Sequence, residues 1–197
     1  MTFNDEYKGN NAVEVHGNTK LHVIHTNDKN QMTITLAQYE HHLSLQRHKI
    51  ADIDLEYDND PKAMQKPALC QLSIGKNHPV LLFQMSDTER CTIFDDFLAD
   101  PRYTFAGFSI DGDKTRLERV KLEHMKKKIT NDEHQCWATL PLSRRHIEYA
   151  AKDAYAAYEI WNRITITQDG LHRAKLEKEE HPKKRARSSW AWGEPDW

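Results

Sequence analysis

Cysteine is scarce in this sequence, and long apolar runs are absent from it. The three cysteines, Cys70, Cys91 and Cys136, are an odd number at wide spacing among 197 residues. This spacing fits neither a disulfide framework nor a zinc site, and the 12 histidines include no His-Glu-x-x-His pattern. No segment is apolar and long enough to span a membrane, and no signal peptide opens the chain. We therefore expect a soluble, intracellular protein with no membrane partner.

Positive charge is not in excess either. Lys and Arg total 28 while Asp and Glu total 30, which gives a formal net charge of -2. This balance excludes a protein that binds nucleic acid through overall positive charge alone. Contact with phosphates would need local basic patches or bridging metal ions.

Hydrophobic periodicity indicates one mixed α/β domain with polar ends. We expect a flexible N-terminus over residues 1–11, a folded domain over residues 12–170 and a polar, basic tail over residues 171–197. Alternating apolar residues predict strands, and apolar residues spaced by three and four predict helices. The patterns predict a hairpin within 13–23, strands at 50–57, 68–74, 80–84 and 103–108, and helices at 36–47, near 93–98, from Asp111 or Gly112, and after Pro141, where Ser143 is the expected N-cap.

Two acidic residues share one face of the strand predicted at residues 50–57. Asp54 and Glu56 are two apart, so their side chains point to the same side of the sheet. Carboxylate oxygens at this spacing favour Mg²⁺ or Mn²⁺ over zinc. The alternative is the wetted face of an edge strand, because Asp52 also lies on this side.

Three further residues complete a candidate constellation. Asp113 lies at the start of a predicted helix, where an acid often serves only as a cap. Tyr149 and Asp153 are four apart and share one helix face, a pattern that is common on protein surfaces as well. The joint occurrence of all five groups in this order favours a pair of divalent cations, which is the chemistry that cleaves phosphodiesters.

The segments that carry these residues resemble the 3′–5′ exonuclease domains of the DEDDy class, and in particular the Werner-syndrome-type exonucleases and their small plant relatives. The resemblance covers residues 20–165, so the expected folded domain is exonuclease-like. It implies a ribonuclease-H-like fold, an α/β arrangement with a mixed five-stranded sheet flanked by helices. It also implies two Mg²⁺ or Mn²⁺ ions and release of nucleoside 5′-monophosphates from the 3′ end of DNA or RNA. The segments are Ile53–Glu56, Ala68–Ser73, Phe105–Asp113 and Pro141–Tyr155.

The same resemblance assigns roles to single residues. Four carboxylates would bind the metal ions, and Tyr149 would orient the attacking water. Leu55 and Phe108 would shape the nucleotide pocket as neighbours of the metal site. The implied metal ligands are Asp54, Glu56, Asp113 and Asp153.

One departure from the family pattern lies between Asp113 and Tyr149. Family members place a further core strand and at least one helix there, whereas Lys121–Gln135 has no β-branched strand run and no long apolar stripe. We expect an internal deletion that removes one outer strand and its covering helix, which would leave an unpaired sheet edge. The alternative function is therefore a catalytically weak or inactive module of the same fold that binds nucleic acid or a protein.

The C-terminal tail supports two further interpretations. The basic run Lys183–Arg187 fits a nuclear-import patch as well as a solvated charge run, and it slightly favours a nuclear over a cytoplasmic location. Three tryptophans follow it, which could bind a protein partner, stack on bases or pack onto the domain. They are Trp190, Trp192 and Trp197.

Overall fold

The computed structural model describes residues 12–57, 67–85, 91–107 and 136–188, apart from the side chains of His16 and of residues 180–188. The chain divides into two compact units, Met1–Trp161 and Asn162–Trp197. The predicted helix from Asp111, the site residue Asp113, its neighbour Phe108 and the three C-terminal tryptophans lie outside the described residues. The same holds for residues 1–11 and for the expected deletion, so these predictions remain predictions.

Six strands of the first unit form one mixed sheet, the kind of sheet that the resemblance implies. The spatial order is β1-β2-β5-β4-β3-β6. Neighbouring strands pair antiparallel in β1/β2, β3/β4 and β4/β5, and parallel in β2/β5 and β3/β6. The resemblance implies five strands, and the sixth is the short hairpin strand at the N-terminal edge. The strands are β1 Ala12–Glu14, β2 Lys20–Thr26, β3 Ile50–Tyr57, β4 Pro67–Ser73, β5 Val80–Gln84 and β6 Thr104–Ala106.

The described residues contain three α-helices: α1 Lys29–Ser44, α2 Thr92–Ala99 and α3 Arg144–Ser188. Helix α1 begins earlier than the predicted 36–47, because the Asp28 side chain accepts a hydrogen bond from the backbone N–H of Asn30 and caps the helix there. The chain expected to be a tail from residue 171 is helical through Ser188. None of the described helices combines the length and apolarity that crossing a membrane requires.

Helices cover both faces of the sheet in the first unit. Apolar side chains of α1 and α2 pack with alternate residues of the central strands, such as Leu72 and Leu81. The first turns of α3 pack on the opposite face against Leu69 and Leu82. Since side chains alternate along a strand, each central strand contributes to two cores, which explains its nearly continuous apolar sequence.

The buried hydroxyl of Tyr39 fixes α1 to the sheet. It lies within hydrogen-bond distance of the carbonyl oxygens of Leu72 and Pro79. Burial raises the pKa of this phenol far above its usual range, so it remains a hydrogen-bond donor at physiological pH. The helix is thereby held across the turn between β4 and β5.

The second unit is described by its helical residues up to Ser188. Thr167 donates a hydrogen bond to the Arg163 carbonyl oxygen within this helix over 2.8 Å. Among the described side chains of this unit, the large and apolar Ile166, Leu171 and Leu176 are exposed.

Candidate active site

Strand β3 lies inside the sheet, and this decides the surroundings of its acids. It pairs with β4 on one side along its length and with β6 on the other side over Ile50–Asp52, so β3 is not an edge strand. Asp52 on that face is 0% exposed. Asp54 and Glu56 continue the face and are half-buried. Acids in such a position must have polar partners, because burying an unpaired charge is very costly.

Neighbouring hydrogen bonds orient both site carboxylates of β3. The Asp54 Oδ1 atom accepts a hydrogen bond from the backbone N–H of Leu55 over 2.8 Å. The amide of Gln71 on β4 donates to Glu56 Oε1 over 3.0 Å. The register of β3 and β4 shifts between Glu56 and Tyr57, and such irregularities commonly re-aim side chains beside functional sites.

Glycine at position 107 allows β6 to approach the acidic strand closely. A Cβ atom built there would lie 2.6 Å from the carbonyl oxygen of Ile53, which is less than any ordinary contact. Residue 53 directly precedes Asp54, so this close approach sets the distance between β6 and the site. Asp113, the next predicted ligand in the sequence, lies outside the described residues.

The start of α3 is held firmly, and it presents the other site residues. Ser143 is the N-cap, as predicted, since its Oγ atom accepts a hydrogen bond from the backbone N–H of His146 over 3.3 Å. Trp137, which is 1% exposed, packs edge-on against the His146 ring and also contacts the ring of Tyr149 at 6.1 Å between centroids. Its carbonyl oxygen accepts a hydrogen bond from Gln84 of β5 over 2.7 Å.

Tyr149 connects the helix to the acidic strand. Burial raises the pKa of its phenol well above the usual range, and the negative charges of Asp153, Glu56 and Asp54 raise it further. A hydrogen bond to Asp153, one helical turn away, acts in the same direction. Because charge interactions weaken with distance, Tyr149 lies near enough to Asp153, Glu56 and Asp54 for their charges to act on its phenol.

The donor set suits a hard divalent cation, since all four groups offer oxygen atoms. Within residues 12–57, 67–85, 91–107 and 136–188, however, no group of three or more His, Cys, Asp or Glu side chains is arranged to hold a metal ion. Asp54, Glu56 and Asp153 therefore do not complete the expected cage by themselves. The buried Oε1 atom of Gln71, which has no hydrogen-bond donor among those residues, is a further oxygen on the same face.

Sequence reasoning missed Gln71 as a site residue. Gln71 lies in Ala68–Ser73, a segment that the resemblance includes. The apolar residues around it carry no signal that identifies the hydrogen-bond partner of its side-chain amide. The register of the two strands would have been needed, because Gln71 is the direct partner of Asp54 across the β3/β4 pair.

Comparison with known proteins finds likeness in three dimensions only. No family model and no curated protein sequence matches the chain. The crystal structure of Escherichia coli RNase D, an exoribonuclease involved in structured RNA processing, is 15% identical with a TM-score of 0.54, and the match covers 83% of this chain and 50% of that one. The chain thus spans about half the length of RNase D.

Two other solved structures are similar at a lower score. The Aedes aegypti Nibbler EXO domain is 14% identical with a TM-score of 0.49, covering 76% of this chain and 90% of its own. The catalytic core of RRP6 from Trypanosoma brucei is 11% identical with a TM-score of 0.49, covering 78% of this chain and 50% of its own. The likeness to RNase D establishes the fold: the chain has a ribonuclease-H-like α/β fold.

Proposed function

We propose that this protein is a metal-dependent 3′–5′ exonuclease that hydrolyses the terminal phosphodiester of DNA or RNA and releases nucleoside 5′-monophosphates. The observation that carries the proposal is the position of Tyr149 on α3, where the charges of Asp153, Glu56 and Asp54 all act on its phenol. An exonuclease fold supports a nuclease only by analogy, so the site is the stronger argument.

The carboxylates would hold Mg²⁺ or Mn²⁺ ions, with Asp54, Glu56 and Asp153 as ligands and Asp113 as the fourth. Such ions, when bound, polarise the phosphodiester and lower the pKa of water. The negative phosphate could not otherwise approach several carboxylates, since like charges repel strongly in a partly buried site.

Tyr149 would position the attacking water and would not remove its proton. Its raised pKa keeps the phenol protonated at neutral pH, so it is no general base under these conditions. Because its hydroxyl hydrogen is donated to Asp153, the phenol oxygen has lone pairs left to accept a hydrogen bond from water. That contact would orient the water next to the carboxylates.

A nuclease assay with the full chain tests this proposal. A 5′-labelled single strand of DNA or RNA is expected to shorten one nucleotide at a time with Mn²⁺ or Mg²⁺ and to stay intact with EDTA. Asp54→Asn and Asp153→Asn should each abolish shortening without changing the melting temperature greatly. Asp96→Asn on the exposed side of α2 is the matched control and should cleave at the wild-type rate.

A catalytically inactive module of the same fold is the second candidate. It is favoured by the absence of a complete group of three metal-ligating side chains within the described parts of the chain. Such a protein would bind a labelled strand in a gel-shift assay without shortening it at any concentration of Mn²⁺. Shortening that persists in Asp54→Asn would contradict the catalytic assignment and point to a contaminating nuclease.

A further inference from the structure

Gln71 is placed to control one carboxylate of the candidate site. It lies on β4, and its direct partner across the strand pair is Asp54, while Glu56 is paired with Leu69 two residues away. The Gln71 amide reaches diagonally to Glu56 and donates a hydrogen bond to its Oε1 atom over 3.0 Å. Diagonal neighbours on one sheet face are within reach of long side chains, so both acids of β3 adjoin this glutamine.

The direction of this hydrogen bond is fixed by chemistry. An ionised carboxylate can only accept hydrogen bonds, so the Nε2 atom of Gln71 must face Glu56 and the Oε1 atom must face away. Gln71 is 0% exposed, whereas Glu56 is half-buried. The fully enclosed amide therefore determines the orientation of the more exposed carboxylate, and not the reverse.

The other end of the same amide points to a ligand. Gln71 Oε1 is buried and has no hydrogen-bond donor among the described residues, although buried polar atoms are almost always satisfied. It lies on the sheet face that carries Asp54 and Glu56. A hydrated cation held by Glu56 can provide the missing donor through its water shell.

A second buried glutamine on this face shows that such an amide need not serve the site. Gln84 of β5 is 1% exposed and donates to the Trp137 carbonyl oxygen over 2.7 Å. It fastens the segment before α3 to the sheet, which is a structural role. The two glutamines are therefore a matched pair for mutagenesis, because Gln71 donates to the Glu56 carboxylate and Gln84 donates to a backbone carbonyl oxygen.

From these contacts we propose that Gln71 is a positioning residue for divalent-cation binding: its amide holds Glu56 in the orientation that binds the ion and accepts a hydrogen bond from the hydration shell. This inference rests on the proposed metal site of the exonuclease. Outer-shell partners of this kind typically contribute roughly 10- to 100-fold to metal affinity.

Binding of Mn²⁺ to the full-length protein without nucleic acid is the decisive measurement. Loss of the free-ion signal in electron paramagnetic resonance reports the affinity directly. Gln71→Met keeps the length of the side chain but has no donor, and it should weaken Mn²⁺ binding by roughly 10- to 100-fold. Gln84→Met should bind Mn²⁺ as the wild type does, even if its melting temperature falls. Equal affinity in Gln71→Met and wild type, or equal weakening in both variants, would overturn the proposal.

A double-mutant cycle separates positioning from a general loss of structure. In a Glu56→Gln background, Gln71→Met should cause a smaller loss of Mn²⁺ affinity than it causes in the wild type, because its partner no longer requires orientation and only the hydrogen bond from the hydration shell remains to be lost. Additive losses would show that Gln71 acts independently of Glu56 and would refute the inference. If Gln71→Met fails to fold, Gln71→Asn takes its place, since it retains the amide but is one methylene too short to reach Glu56.

Mn²⁺ binding and strand shortening together distinguish failure of the exonuclease proposal from failure of the positioning role. A wild-type protein that binds Mn²⁺ with the expected dependence on Gln71 but shortens no strand supports the positioning role and rejects catalysis. A protein that cleaves with Mn²⁺ and is indifferent to Gln71→Met supports catalysis and rejects the positioning role. A wild type that binds no Mn²⁺ rejects the positioning role outright.

Discussion

Tyr149 shares a hydrogen bond with Asp153 one turn further along α3, and the charges of Asp54 and Glu56 on β3 also act on its phenol. The pair is local in sequence but acquires its chemical meaning from the strand opposite. The carboxylates of Asp54 and Glu56 make ionisation of the phenol still less favourable. Tyr149 is therefore a neutral hydrogen-bonding group at physiological pH, and its chemistry at the site depends on that state.

Removing the phenol oxygen is expected to slow cleavage and leave the domain folded. Tyr149→Phe keeps the ring that contacts Trp137 but loses the group that positions water, so kcat should fall by roughly 10²-fold. Initial rates of mononucleotide release with saturating Mn²⁺ measure this. Tyr158→Phe, a half-buried tyrosine on the same helix, should retain the wild-type rate. Equal rates for both variants would exclude a role for Tyr149.

The same substitution should change the stability of the protein at alkaline pH. The folded state raises the pKa of Tyr149 above its ordinary value of 10.0, so the native protein binds this proton more tightly than the unfolded chain. Its contribution is fully present below about pH 10 and is lost as the pH rises further. Urea unfolding at about pH 9 and about pH 11 should show that the free energy of unfolding falls more between these two pH values for wild type than for Tyr149→Phe. Parallel losses would mean that the phenol is not perturbed in the native state.

Trp137 is expected to be essential to the stability of the first unit. It is 1% exposed and belongs to the core beneath α3, so Trp137→Ala should cost about 3–5 kcal/mol in the free energy of unfolding. Trp161→Ala, at a position that is 38% exposed, should cost clearly less. Urea titration followed by circular dichroism distinguishes them, and similar losses would contradict the burial of the Trp137 ring.

Two glycines should respond to alanine in opposite directions. Gly107→Ala places a methyl group 2.6 Å from the Ile53 carbonyl oxygen, so β6 must move away from β3, at a cost of about 1–3 kcal/mol. Gly170 lies in α3, where an added methyl group would have nothing within 4 Å, and Gly170→Ala should stabilise its helix by up to about 1 kcal/mol. Thermal melting of both variants tests the contrast. A neutral Gly107→Ala would show that the two strands are less closely spaced at this point.

Much of the secondary structure is predictable because its signals are local. Alternation over Ile50–Tyr57 identifies β3, and Ser143 before an apolar helical stripe identifies the start of α3. The start of α1 was less accessible, since Lys29–Thr35 carries no continuous apolar stripe and the cap at Asp28 decides it. The pairing of Tyr149 with Asp153 follows from a spacing of four on any helix.

The surroundings of the acids were not accessible in this way. Whether Asp52 is wet or buried depends on strands β4 and β6, which come later in the chain and flank β3 on both sides. The role of Gln71 depends likewise on the register between β3 and β4, which residues 58–66 separate in the chain. Neither relation leaves a periodic signal, because the partners are far apart in sequence.

By itself, the sequence indicated which residues are candidates for the chemistry, approximately where the strands of the sheet lie, and that Tyr149 and Asp153 share a helix face. These features arise from side-chain alternation and helical repeat, which act between residues close together along the chain. Only the tertiary structure decided that β3 is an interior strand, that α3 places its phenol against the acids, and that Gln71 holds Glu56. Strand order and register are set by packing between segments that are far apart in the sequence, because the burial and hydrogen bonding of each strand depend on its neighbours in the fold.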